Sequence, residues 1–175
     1  YSIKTKNKEI ALQSLRREMN PHFIFNSLNS VNQFISENKE LEANKYLTSY
    51  STLMRDMMEN SNKDFIILDK EVERLQKYLD LEHLRFQDKF DFEITVDKEL
   101  DAETVFVPNM IIQPHLENAI WHGLGNKKET GHLHINVQLC EPSVALITIA
   151  DDGIGRAATQ HIQKSHTSLG IEITE

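Results

Sequence analysis

The chain has a single cysteine, Cys140, in 175 residues. One thiol cannot close an internal disulfide or furnish a multi-cysteine zinc site, which suits a reducing compartment. Long apolar runs are missing too: no stretch approaches the eighteen or more residues a membrane span requires, and no signal peptide is visible. Basic residues are in deficit, nineteen against twenty-seven acidic ones, for a formal charge of -8. A surface of that sign is a poor polyanion binder, so nucleic acid is not an expected partner. Repeats and low-complexity tracts are lacking, and an initiating methionine is absent, so the chain is expected to be part of a longer protein. What is present, 39% hydrophobic content, is enough for one sizeable core or two small ones.

Proline is scarce, four in all, and one is awkwardly placed. Leu12, Leu15, Met19, Phe23 and Leu28 fall near helical spacing, yet Pro21 interrupts them. In a helix interior it removes a donor and crowds the carbonyl of Arg17, costing roughly 3 kcal/mol, so a kink is expected there. His22 follows at once. A neutral imidazole at a solvated kink is a reachable nucleophile; the plainer alternative is a core or capping histidine beside a helix break. Glu18 and Asn26 lie one helical turn to either side of it, which makes Glu18 the candidate to accept its proton and Asn26 a neighbour of the same site.

Residues 1–15 suggest a helical linker. Helix continues from Phe23 to about Ser36, a turn falls at Ser36-Glu37-Asn38-Lys39, and a second helix runs from about Glu40 to Asn60. Its expected apolar stripe is Ala43, Leu47, Tyr50, Leu53 or Met54, and Met57. Two such helices cannot be stable alone, and a second copy pairing with them into a four-helix bundle would bury both faces, which implies a homodimer. Ser61-Asn62-Lys63-Asp64 is the expected hinge. Beyond it, Leu68, Val72, Leu75, Leu79 and Phe86 mark an amphipathic helix with Asp69 as its expected N-cap. Phe90, Phe92, Ile94 and Val96 then alternate with polar residues as a strand does. A short strand at 105–107, a helix from Pro108 to Gly123 with Gly123 closing it, and two strands, Leu133 to Leu139 and Val144 to Ala150, complete the reading. The class is α+β, a sandwich of helices on a mostly antiparallel sheet.

Two further motifs carry chemistry. In Gln113-Pro114-His115-Leu116-Glu117-Asn118-Ala119-Ile120-Trp121-His122-Gly123, the amide of Asn118 is a hard oxygen ligand suited to Mg²⁺, which takes few protein groups beside nucleotide phosphates. In Asp151-Asp152-Gly153-Ile154-Gly155, set after an apolar strand, two glycines allow close backbone approach to a ligand and a strand-end aspartate can accept from an amino group. A polar, aperiodic loop from Arg156 to Ser168 follows, long enough to be functional or disordered, and leads to Gly170. Lys127 and Lys128 are candidates for neutralising charge. His132 and His134 could share a metal, but a third ligand is not evident; His115, His161 and His166 read as surface or loop residues, and Trp121 as a packing residue.

Taken with Asn20-Pro21-His22-Phe23-Ile24-Phe25-Asn26-Ser27-Leu28-Asn29, these motifs resemble, in the same order, those of the LytS/YehU-type sensor histidine kinases, over about residues 12–173. The resemblance implies a dimerisation and phosphotransfer region at 1–62 and a GHKL (Bergerat) ATP-binding domain at 63–175, incomplete at its C-terminus. It implies that His22 takes the γ-phosphoryl group of ATP and passes it to a response-regulator aspartate. By the same likeness Asn118 binds Mg²⁺, His122 lines the nucleotide pocket, Asp151 accepts from the adenine amino group, Gly153, Gly155 and Gly170 bring backbone to the nucleotide, and Glu117 positions water or closes the hydrogen-bond network. The full-length protein would then lie on the cytoplasmic side of the inner membrane, held by a segment outside this chain. The alternatives are a GHKL ATPase that forms no phosphohistidine and a non-catalytic dimerisation module.

Overall fold

The computed structural model describes residues 23–87, 89–141, 144–154 and 169–172, with the side chains of 141 and 169–172 left aside. His22, Glu18 and Gly155, with the whole 156–168 loop and the N-terminal linker, lie outside the described residues. The chain divides into two compact units, Tyr1–Asp64 and Phe65–Glu175.

In the first unit, α1 (helical through residues 23–36) and α2 (Glu40–Glu59) make a hairpin. Its turn is built on Asn38, which adopts a left-handed conformation at φ 57°. The Lys39 N–H donates to the Phe34 carbonyl at 2.8 Å and the Asn38 N–H to Ile35 at 3.0 Å, the paired bonds that close a helix on a left-handed residue. Phe23, Ser27, Ser30 and Phe34 recur at helical spacing and are all buried. They meet α2 through Phe34 and Tyr46, with ring centroids 5.9 Å apart, through Phe23 and Tyr50 at 5.4 Å, and through the Tyr46 hydroxyl, 3.2 Å from Ser27 Oγ. The stripe of α2 is Ala43, Tyr46, Leu53 and Met57. Leu47, expected in it, is 46% exposed: the helix turns its Tyr46 edge inward because the aromatic ring, not the leucine one residue on, reaches the gap beside Phe34.

That leaves much apolar surface outside. Ile24, Phe25, Leu28, Ile35, Leu41, Leu47 and Met58 are all exposed, Phe25 by 67% and Leu41 by 79%.

The second unit is a mixed α+β assembly. Strand β1 (Phe65–Ile67), at the expected hinge's end, pairs antiparallel with β3 (Phe106–Pro108). Helix α3 (Leu68–Arg85) follows β1 directly, so its N-cap is Ile67 rather than Asp69. Asp69 sits in the first turn, where its charge still complements the helix dipole, while its N–H is taken by the Ala102 carbonyl at 2.9 Å. The main sheet runs β2 (Phe90–Val96), β4 (Gly131–Glu141), β5 (Val144–Asp151), β6 (Leu169–Glu172). Only β2 and β4 are parallel; β4–β5 and β5–β6 are antiparallel. Along β4, Leu133, Ile135 and Val137 are buried while His132 and His134 are exposed, the period-two pattern of a sheet covered on one face. Helix α3 packs there, with His83 and Phe86 edge-on to Phe90 at 5.7 and 6.2 Å. β6 already contains Gly170, opposite Leu146 on the sheet's edge.

The single helix expected from Pro108 to Gly123 is replaced by a turn and two shorter elements. Met110 holds a positive φ of 62°, and α4 spans only Gln113–Asn118. Ala119–Leu124 then widens into a π-helix. Gly123 therefore does not close the segment; it lies within the wide turn. The reason for a glycine there is its surroundings.

Candidate nucleotide site

The two motifs expected to act together are in contact. The Ile154 N–H donates to the Gly123 carbonyl at 3.3 Å. A Cβ on Gly153 would stand 2.6 Å from both the Cα and the carbonyl carbon of Gly123, and one on Gly123 would stand 2.8 Å from Asp151 Oδ1. The first contact is with backbone, so residue 153 must be glycine for the loop after β5 to seat on the wide turn, while a side chain at 123 would displace the Asp151 carboxylate.

Asp151 ends β5 with its side chain exposed. Its Oδ1 accepts from the Gly153 N–H at 3.0 Å, which folds the loop back on the strand end. The other oxygen, Oδ2, has no hydrogen-bond partner among the described residues. Asp152 is occupied differently: Oδ1 accepts from the His132 N–H at 2.7 Å and Oδ2 pairs with Lys127 at 2.9 Å. Those donors, the His132 amide first, hold its carboxyl below the usual carboxylate range. The charge of Asp152 thus ties β4, the 124–131 loop and the strand end together, and Lys127 is spent on it. Lys128 is exposed.

Asn118 and His122 are both exposed, four residues apart across the α4 boundary. Glu117 is half-buried beside Gln113, whose Nε2 lies 3.4 Å from Oε1, and burial pushes its carboxyl up to about 7. Glu117 and Asn118 are adjacent on the helix and cannot share a face, so Glu117 faces inward where Asn118 faces out. His115 is half-buried, which lowers its pKa. Asn26 belongs to the first unit, half-buried, its carbonyl accepting from Ser30 Oγ at 2.9 Å. His132 and His134 gather no metal cluster: among the described residues, groups of three or more His, Cys, Asp or Glu that could hold an ion are absent. His134 instead meets Thr95 at 2.9 Å. A magnesium ion at Asn118 would therefore depend on nucleotide oxygens for most of its ligands, which its coordination habits allow.

Buried polar groups form a layer that periodicity had not marked. Glu82 is fully buried, both its oxygens 3.4 Å from Arg85 Nη1. Burial pushes its carboxyl up to about 7, with Arg85 opposing and the Glu117 charge adding to the rise. Arg74, also buried, donates to Asn109 Oδ1 at 2.6 Å and to Glu71 Oε2 at 3.3 Å. One signal was readable: on the α3 stripe the slot between Leu79 and Phe86 is residue 82, and it holds a glutamate.

Residues 10–90 match the family model described as histidine kinase, and the chain belongs to that family. The proteins to which the chain is similar include LytS-type sensor histidine kinases. Sensor histidine kinase/phosphatase LytS of Staphylococcus aureus is 34% identical over 166 residues, 94% of this chain and 28% of that protein. Sensor protein LytS of Staphylococcus epidermidis is 29% identical over 153 residues, 87% of this chain and 25% of that protein. The chain thus spans about a quarter of the length of these curated relatives. No helix among the described residues is long and apolar enough to cross a membrane.

Proposed function

We propose that the chain is the phosphotransfer and ATP-binding part of a two-component sensor kinase, phosphorylating itself on His22 at the expense of ATP and then passing the phosphoryl group to an aspartate of a response regulator. The observation that carries the reading is the seating of the Asp151–Gly153 loop on the wide turn at Gly123. It places an exposed carboxylate with an unclaimed oxygen beside the segment that bears Asn118 and His122.

In this reading Asp151 accepts a hydrogen bond from the adenine amino group, and the backbone at Gly153, Gly155 and Gly170 approaches the nucleotide. Asn118 holds Mg²⁺, which supplies charge neutralisation on the phosphates. His122 lines the pocket wall. A ring nitrogen of His22 bonds to the γ-phosphorus as the bond from that phosphorus to its bridging oxygen breaks, releasing ADP; Glu18 accepts the imidazole proton and Asn26 flanks the same turn. Little covalent assistance is required, since phosphoryl transfer is governed by alignment and by charge placement. Glu117 faces away from Asn118 and so serves the hydrogen-bond network with Gln113 better than it serves a water.

The exposed apolar residues of the hairpin support a homodimer, the second copy completing a four-helix bundle. The stretch 1–62 would act as the dimerisation and phosphotransfer region and 63–175 as a GHKL ATPase domain, on the cytoplasmic side of a membrane in the full-length protein.

Incubation with γ-labelled ATP and Mg²⁺ tests this. The expected result is acid-labile, base-stable label on the protein that disappears in His22→Ala. Nucleotide hydrolysis without such label would replace the kinase by a plain ATPase, and failure to bind Mg·ATP would leave only a dimerisation module.

A further inference from the structure

A π-helical turn does not persist on propensity alone. Its wider pitch forfeits the bonding of the α form, and such turns recur where something outside the helix holds them. The Gly125 N–H reaches back five residues to the Ile120 carbonyl at 2.7 Å, so the widening at Ala119–Leu124 is fully formed. Its inner side is held by Gly153 and Asp151. Its other side meets the last turn of α3.

We propose that Arg85 is a positioning residue of the nucleotide site, holding the wide turn that carries His122 by clamping the ring of Trp121. The guanidinium carbon stands 3.5 Å from the Trp121 ring centroid, face-on contact of the kind a cation makes with an electron-rich ring. Glu82, fully buried and 3.4 Å away, fixes the fork from behind. Phe86 completes the grip, edge-on to Trp121 at 5.6 Å and close enough to Gly125 that a Cβ there would come within 2.9 Å of its ring. The inference rests on the nucleotide-site reading above, and goes beyond it by assigning a role to groups that touch no nucleotide.

The consequence follows from helix geometry. Each residue of an α-helix turns the chain by roughly 100°. Relaxation of the wide turn to the α form would absorb about one residue, rotating His122 about the helix axis relative to the loop after β5 and lifting Gly123 off Gly153. Arg85 and Trp121 therefore govern whether the three groups expected around one ligand face it together, and Trp121 is adjacent to His122.

The test uses this chain, whose only tryptophan is Trp121, so its emission reports the clamp directly. Arg85→Gln keeps a flat, polar end on a shorter side chain and removes the cation; Arg85→Lys keeps the cation and loses the flat fork. Arg85→Gln is expected to weaken Mg·ATP binding at least tenfold and to shift Trp121 emission, with Arg85→Lys recovering part of both; because Arg85→Gln also takes a partner from the buried Glu82 and melts lower, binding is compared at a temperature where all three chains are folded. Binding by Arg85→Gln within twofold of the unaltered chain overturns the proposal, as does a loss that merely follows the unfolded fraction. Should the unaltered chain not bind Mg·ATP, the nucleotide reading fails, and amide exchange at 119–124 decides the clamp: faster exchange there in Arg85→Gln, with β4 unchanged, supports it, and an unchanged pattern sinks it.

Discussion

The two units put their surplus in opposite places. The helical hairpin keeps only hydroxyls among its buried polar groups, Ser27 and Ser30, and leaves seven large apolar side chains outside. The α+β unit buries Glu71, Arg74, Glu82, Asn109 and Gln113, while among its described residues few large apolar side chains are exposed. Apolar surface outside is a cost that only a further surface can remove. Polar groups inside cost desolvation and return it as fixed geometry when they are paired. The hairpin is thus shaped for what it meets, and the second unit for what it holds still.

The largest effect should come from breaking the buried network. Arg74 joins α3 to the Asn109–Met110 turn that launches α4. In Arg74→Ala the Glu71 carboxylate loses this partner in a site closed to water, and loss of one member of a buried pair costs about 3–5 kcal/mol. A chemical denaturation curve should show that loss in the second unit alone. A change below about 1 kcal/mol would mean that the layer is decoration rather than framework.

The same layer implies a pH dependence. Glu82 and Glu117 both sit at about 7, raised first by burial, so the folded chain takes up protons that the unfolded chain does not. Their stabilising contribution is complete below the ordinary carboxylate range and is lost as pH rises through about 7. Asp152 works in the opposite sense, but being held below the usual range it acts only at more acidic pH. Between pH 5 and 8 the second unit should lose roughly 5 kcal/mol at most, the pair titrating as one coupled system. Glu82→Gln should flatten that slope, measured as melting temperature against pH; an equally steep slope in the variant would exonerate the pair.

How much of this was legible beforehand follows the same division. Period-two alternation in 90–96 and 133–139 and the polar break at 36–39 were readable because each depends on neighbours within a few residues. The order of motifs was readable for the same reason. The Tyr46-for-Leu47 exchange was not, since both fit helical spacing and only the partner ring decides. The α-to-π conversion at Ala119 was hidden because it is imposed from outside, by Gly153 and by the end of α3, across long stretches of chain. Gly123 consequently looked like a helix end when it is a point of backbone contact. Strand β1 is three residues whose existence depends on β3, and a parallel partner for β2 cannot be read from β2.

The smallest change in folding should accompany the largest change in association. Leu28 and Ile35, seven residues apart on one face of α1, are 53% and 55% exposed. Replacing both, Leu28→Ser together with Ile35→Ser, leaves the buried side chains of the hairpin in place, and the cost to an isolated subunit should be little more than the helix-propensity difference, about 1 kcal/mol. If a second copy covers that face, the unaltered chain melts higher as its concentration rises, because association stabilises by mass action. The double variant should melt at one temperature regardless of concentration and sediment as a monomer. A variant that still sediments as a dimer would place the interface elsewhere on the hairpin. One that unfolds outright at low concentration would show that Leu28 and Ile35 belong to the hairpin's own core, and the contrast between the two units would lose its basis.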